Sequence, residues 1–124
     1  MEILLIFFMG ASGYGIIELL WRGYTHWTML LVGGICFLAL YYTYAHTKIN
    51  TFLKCLLGSL IITTIELISG IIINVKYRLN VWDYSLIPYN LYGQICLLYS
   101  IFWAFISYAL VFLCKKLRNI IKNT

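Results

Sequence analysis

Residues 53–75 read LKCLLGSLIITTIELISGIIINV, and this stretch decides the fold. Between Cys55 and Val75 it holds twelve Leu, Ile or Val, enough apolar length to cross a bilayer as a helix. In hydrocarbon the backbone polar groups must be satisfied within the segment, which excludes an open strand. One carboxylate, Glu66, interrupts the run. A charge at bilayer depth costs roughly 2.5–3.5 kcal/mol on insertion scales, while each Leu, Ile or Val contributes about 0.3–0.6 kcal/mol in the opposite direction. The apolar residues win, and the span inserts with its glutamate.

The polar residues of this span share a face. Ser59, Thr63, Glu66, Gly70 and Asn74 follow one another at steps of four, three, four and four. That spacing is the helical period, so the stripe turns toward other helices or a cavity while Leu and Ile meet lipid.

Working outward, residues 3–21, 27–45 and 93–114 are three further candidate spans. The chain is 63% hydrophobic and 10% charged, against about 25% charged residues in an average soluble domain. Its mean hydropathy is +0.90. A soluble fold is excluded. The expectation is an all-α membrane protein: one transmembrane domain over residues 1–124, built as a bundle of four transmembrane helices. The first run is not expected to be a cleaved signal, because only Met1 and Glu2 precede it and neither is positive.

Lysine and arginine set the expected orientation. The side holding the N-terminus, the 46–52 loop and the tail carries Lys48, Lys54, Lys115, Lys116, Arg118 and Lys122, six cations. The other side carries Arg22, Lys76 and Arg78, three cations. The positive-inside rule places both termini in the cytoplasm of a cell-membrane protein. The basic tail, residues 115–124, is explained by anionic lipid headgroups, so the net charge of +5 requires no nucleic-acid partner. Cys36, Cys55, Cys96 and Cys114 show no CxxC pair and no metal-ligand spacing, which makes them small packing residues. No metal or cofactor is expected. No nucleophile–base pair is visible either, and an enzyme is not expected.

The first span repeats the polar stripe in shorter form. Ala11, Gly15, Glu18 and Arg22 share one face, and Glu18 and Arg22 are spaced for an ion pair. Gly10, Gly13 and Gly15 let another helix approach closely. In the fourth span Cys96, Ser100, Trp103 and Ser107 fall on one face, which suggests a bundle closed around Glu18, Arg22 and Glu66.

Both outer connections are aromatic, as expected at headgroup level. The second, from Tyr77 to Gly93, contains Trp82-Asp83-Tyr84-Ser85 and the only proline, Pro88. It reads as a short interfacial or re-entrant segment between the third and fourth helices, ended by a turn at Pro88-Tyr89-Asn90. Asp83 could pair with Arg78 or Arg22. By helical rise, Glu66 lies about 13 Å from the outer end of its span, so an outward cleft could hold both glutamates beneath this loop. His26 could join it.

Trp82-Asp83-Tyr84-Ser85, Pro88, Asn90, Gly93-Gln94-Ile95-Cys96-Leu97 and Trp103 resemble the signature of the putative ABC-transporter type IV family, small CmpB-like membrane proteins. Glu66-Leu67-Ile68-Ser69-Gly70 is similar to the Glu-x-x-x-Gly element that precedes the family's Trp-Asp-Tyr stretch, and Gly13-Tyr14-Gly15 with Glu18 is similar to its first-helix motif. The resemblance spans residues 10 to 108. One departure is the first outer loop, where Arg22-Gly23-Tyr24 is a trace of the family's Asn-Arg-Gly-Phe-Leu-x-Gly-Pro segment. The resemblance implies a multi-spanning protein of transport type. Because the chain has no Walker motif, any ATPase would be a separate polypeptide.

The functional expectation is an outward-facing polar pocket that binds a small solute, cation or proton. Candidate ligand- or ion-binding residues are Glu18, Arg22, Glu66, Trp82, Asp83, Tyr84, Asn90 and Trp103. Four spans enclose little volume, so a homo-oligomer or a membrane partner subunit is expected beside the surrounding lipids. The alternatives are a non-catalytic subunit or scaffold whose charges serve assembly, and a small proton-coupled multidrug exporter.

Overall fold

The computed structural model describes residues 2–122. Among these, four helices are long and apolar enough to cross a membrane. They are α1 (Glu2–Arg22), α2 (Trp27–His46), α3 (Thr51–Gly70) and α4 (Leu97–Lys122). The first three match the expected spans to within two residues once α3 is followed through its π-helical continuation, Ile71–Lys76. α4 departs at both ends. Residues 93–96, expected to open the fourth span, form a turn and a short strand instead, and the helix runs on through Lys115, Lys116, Arg118 and Lys122. The last two residues of the expected tail lie outside the described residues.

Local chemistry sets the helix ends. α1 stops at Gly23, whose φ of 79° is left-handed and whose N–H returns to the Leu19 carbonyl at 3.0 Å. α2 begins at His26, where Nδ1 accepts the Thr28 N–H at 3.2 Å. Asn50 caps α3 by accepting the Leu53 N–H on Oδ1 at 2.8 Å. At its outer end α3 widens, and the Tyr77 N–H reaches back to the Ile72 carbonyl at 3.1 Å. Arg78 and Asn80 then take left-handed φ values and release the chain from the helix.

The helices pack as two hairpins, α1 on α2 and α3 on α4, with α2 also resting on both members of the second hairpin. Glycines bring α1 and α2 together: Gly10 faces Phe37 and the Gly33 carbonyl, Gly15 faces Leu30, and Gly34 faces Phe7. Hydroxyls join α3 to α4. Ser59 Oγ donates to the Ser100 carbonyl at 2.6 Å, and Thr63 Oγ1 shares a 2.9 Å hydrogen bond with Ser100 Oγ. The core runs through Ile6, Val32, Phe37, Leu40, Tyr41, Ile62 and Val111.

At one end of the bundle the Tyr41 hydroxyl donates to Glu2 Oε1 at 3.0 Å, and Arg118 donates to the Ala45 carbonyl at 3.0 Å. The beginning of α1, the end of α2 and the end of α4 therefore share that end. At the opposite end the α3–α4 connection forms a small antiparallel ladder between β1 (Asn90–Leu91) and β2 (Ile95–Cys96), pairing Asn90 with Cys96 and Leu91 with Ile95. The expected interfacial segment is thus a folded cap with its own hydrogen-bond lattice.

Candidate functional site

α1 packs on α2 and makes no extended contact with α3 or α4. It meets α4 through an aromatic stack, Tyr14 on Trp103, with centroids 5.9 Å apart and planes inclined by 29°. The cleft between them holds two cavities, and this stack is common to the walls of both. The inner cavity, about 240 Å³, is floored by α2 and α3 and lined by Met9, Gly13, Phe37, Ile62, Glu66 and Leu110. The outer one, about 290 Å³, is lined by Glu18, Arg22, Trp82, Tyr84, Tyr99 and Phe102.

Glu66 is 4% exposed. The α3 stripe directs it inward, and its nearest polar partner is the Trp103 indole, whose buried N–H approaches it without closing a hydrogen bond of normal geometry. Among the described residues no cation pairs with it. Burial of a carboxylate without a partner is unfavourable, so the open space beside it is the feature that needs a purpose.

Glu18 has the partner its spacing implies. Arg22 Nε donates to Glu18 Oε2 at 2.5 Å, and Arg22 Nη1 donates to the Val81 carbonyl at 3.3 Å. The second bond ties the end of α1 to the outer cap. The Tyr14 hydroxyl lies against the Glu18 carboxylate, one helical turn earlier. Glu18 and Arg22 line the outer cavity, and Glu66 lines the inner one. The Tyr14–Trp103 stack stands between the ion pair and Glu66.

Trp82 and Tyr84 do face the outer cavity. Trp82 is buried and donates its Nε1–H to the Gln94 carbonyl at 2.9 Å, while Tyr84 stacks on Tyr99 with centroids 4.9 Å apart. Burial, and after it the negative charge of Glu66, push the Tyr84 hydroxyl far above its ordinary pKa, which leaves it a neutral hydrogen-bonding group. Trp103 touches both cavities.

Asp83 and Asn90 lie elsewhere. Asp83 is exposed, and its Oδ1 accepts the Ser85 N–H at 2.9 Å, a bond that holds the carboxyl below the usual aspartate range. Its expected pairing with Arg78 or Arg22 does not form. A side chain beside its own turn satisfies the nearest backbone donor before it reaches a distant guanidinium. Asn90 staples the cap: its Nδ2 donates to the Ser85 and Ile87 carbonyls at 3.2 and 2.8 Å, and its Oδ1 accepts the Gly93 N–H at 3.1 Å. His26 is occupied with capping α2.

Three contributors, Tyr14, Tyr99 and Gln94, escaped the sequence reading of the site. Tyr14 was visible only as the middle of Gly-Tyr-Gly, although its four-residue spacing to Glu18 and Trp103's to Tyr99 were both legible. Gln94 is the third. Its Oε1 accepts from Asn74 Nδ2 at 2.8 Å and its Nε2 donates to the Tyr92 carbonyl at 3.0 Å, while Asn74 Oδ1 accepts the Val81 N–H at 2.7 Å. No local pattern announces such a lattice. Among the described residues, no three His, Cys, Asp or Glu side chains converge as a metal set.

Four helices long and apolar enough to cross a membrane define a small multi-pass membrane protein, and the family it matches supports a transport-related role. The chain matches the putative ABC-transporter type IV family over residues 4–124, essentially its whole length, and it belongs to that family. No curated protein and no solved structure matches it.

Proposed function

We propose that the protein moves or captures a small solute at a binding carboxylate, Glu66, reached from the outer side through the Glu18–Arg22 vestibule. The observation that carries this reading is the buried Glu66 carboxylate facing open volume with no cation beside it. Glu66 takes up a proton or a cation. The Tyr14–Trp103 stack separates it from the vestibule until the two rings part. The work is binding and passage, without covalent catalysis. Both termini lie in the cytoplasm of a cell-membrane protein, a placement supported by the six-to-three division of Lys and Arg between the two sides.

The test is charge displacement on a solid-supported membrane. A pH step applied to reconstituted protein is expected to give a transient current, and Glu66→Gln is expected to abolish it while eluting from size exclusion like the parent protein. An undiminished current from Glu66→Gln would remove Glu66 from the reading.

A second reading is favoured by Arg22, whose charge is spent on Glu18 within α1 and whose Nη1 ties that helix to the cap. In it the chain is a non-catalytic membrane subunit whose charges serve assembly, as a homo-oligomer or beside a separate ATPase. Purification from mild detergent that returns this chain alone as a monomer would count against it.

A further inference from the structure

The chemistry of the occupant follows from the cleft, given the proposed reading of Glu66 as a binding carboxylate. Three charged side chains line the two cavities: Glu18, Arg22 and Glu66. Glu18 and Arg22 cancel each other. Other cations near the bundle ends are turned away, Lys76 over the Tyr77 ring and Lys54 over the Tyr44 ring. The unmatched charge is a single negative one, at Glu66.

The walls around that charge are apolar and aromatic. Phe37, Tyr14 and Trp103 present rings to the inner cavity, and ring faces attract cations. A dry cavity of about 150 Å³ holds one benzene, so about 240 Å³ leaves room for a ring and a substituted ammonium group. The side opening completes the argument. Ile17 and Leu113 line the inner cavity, Phe105 lines the outer one, and all three are exposed on the lipid-facing surface. With α1 and α4 bridged by little more than one stack, the cleft is reached sideways from hydrocarbon as well as from its outer end.

We infer that the Glu66 cavity binds a lipid-soluble monocation, an aryl or alkyl ammonium compound, entering between α1 and α4. The ammonium group sits on the Glu66 carboxylate and replaces the cation that the fold does not supply. The hydrocarbon part fills the space between Gly13 and Phe37. A metal cation or an anionic lipid headgroup would suit these walls poorly. The first would find a single carboxylate and one neutral tyrosine hydroxyl in the inner cavity, far short of a coordination shell, and the second would meet an unpaired carboxylate.

The full-length protein in lipid nanodiscs provides the test. Dicyclohexylcarbodiimide, which partitions into hydrocarbon and reacts with protonated carboxyl groups, is applied from acidic to mildly alkaline pH, and adducts are located by peptide mass spectrometry. The probes are benzyltrimethylammonium and its uncharged carbon isostere, neopentylbenzene, at equal mole ratio to lipid. The expected result is an adduct at Glu66, slowed roughly tenfold or more by the ammonium compound and far less by the isostere. Equal slowing by both compounds, greater slowing by the isostere, or slowing by neither overturns the cation while leaving the carboxylate pocket standing. Absence of any Glu66 adduct across the pH range overturns the pocket itself, and the inference falls with it.

Discussion

Tyr14 of α1 and Trp103 of α4 stack at 5.9 Å between the two membrane glutamates, with the Glu18–Arg22 pair on one side and Glu66 on the other. With Ile17 and Ile106, this stack lines both chambers of the cleft. It also explains why two carboxylates on the inner faces of one bundle have different surroundings.

Removing the wall should join the chambers. Trp103→Ala is expected to lose about 0.5–1.5 kcal/mol of aromatic pairing beyond the buried area and to raise the reactivity of Glu66 toward a water-soluble carbodiimide. Trp103→Phe keeps a ring in place and should stay close to the parent rate. If the labelling rates of both variants equal the parent rate, the stack is not a barrier.

The Glu18–Arg22 pair is a structural element with a measurable coupling. Each charge is partly exposed, at 12% and 22%, so solvent screens it only in part. A double-mutant cycle of Glu18→Gln and Arg22→Gln, read by unfolding in detergent, should give a coupling of about 0.5–3 kcal/mol. Arg22→Gln should cost more than Glu18→Gln, because it also releases the Val81 carbonyl and with it the cap. Strictly additive losses would show that the pair contributes nothing to stability.

Asn74 holds the cap to α3 from both ends of its amide. Asn74→Ala leaves the Val81 N–H and the Gln94 Oε1 without partners. An orphaned buried group costs about 1–3 kcal/mol. The melting temperature should fall, and protease cleavage between Tyr77 and Gly93 should accelerate. Unchanged cleavage would mean that the ladder and Trp82 hold the cap without it.

Two glycines of α1 should respond oppositely to a methyl group. A Cβ at Gly10 would press on Phe37 and stand 3.0 Å from the Gly33 carbonyl, whereas a Cβ at Gly13 would have nothing within 4 Å. Gly10→Ala is expected to cost about 1–3 kcal/mol through overpacking. Gly13→Ala should be tolerated, and Gly13→Leu should fill the inner cavity and block ammonium protection of Glu66. Retained protection in Gly13→Leu would place the ligand elsewhere.

Asp83 gives the cap a dependence on acid. Its folded pKa lies below the ordinary aspartate value of about 3.9 because the Ser85 N–H stabilises the charged form. The unfolded chain therefore binds more protons through that range, and the contribution is fully present above the ordinary value and lost as pH falls through the lowered one. Asp83→Asn keeps only a neutral acceptor, so it should flatten that loss by starting, at neutral pH, near the weaker level the parent reaches in acid. Hydrogen exchange at the Ser85 amide reads it directly, and an identical acid profile in Asp83→Asn would rule Asp83 out.

How much of this was legible depends on how far apart the interacting residues are. The α3 stripe could be read from five residues at helical spacing, and it does face α4 and the cap. The Glu18–Arg22 pair could be read from one four-residue step. The start of α4 could not, because Gly93-Gln94-Ile95-Cys96 is as apolar as a helix opening. What makes it a strand is Asn90 and Leu91 folding back to pair with it. Asp83 was misplaced for a related reason: its turn with Ser85 is shorter-range than either arginine.

By itself, the sequence determined the class of the protein, the presence of four spans and the polar face that α3 turns inward. These follow from hydrophobic length and the helical period, which act within a single segment. The tertiary structure alone decided that Glu66 is left without a cation, that Tyr14 meets Trp103, and that α1 and α4 stand apart as the walls of a cleft. Those outcomes depend on how side chains from opposite ends of the chain pack against each other, and no local spacing encodes that.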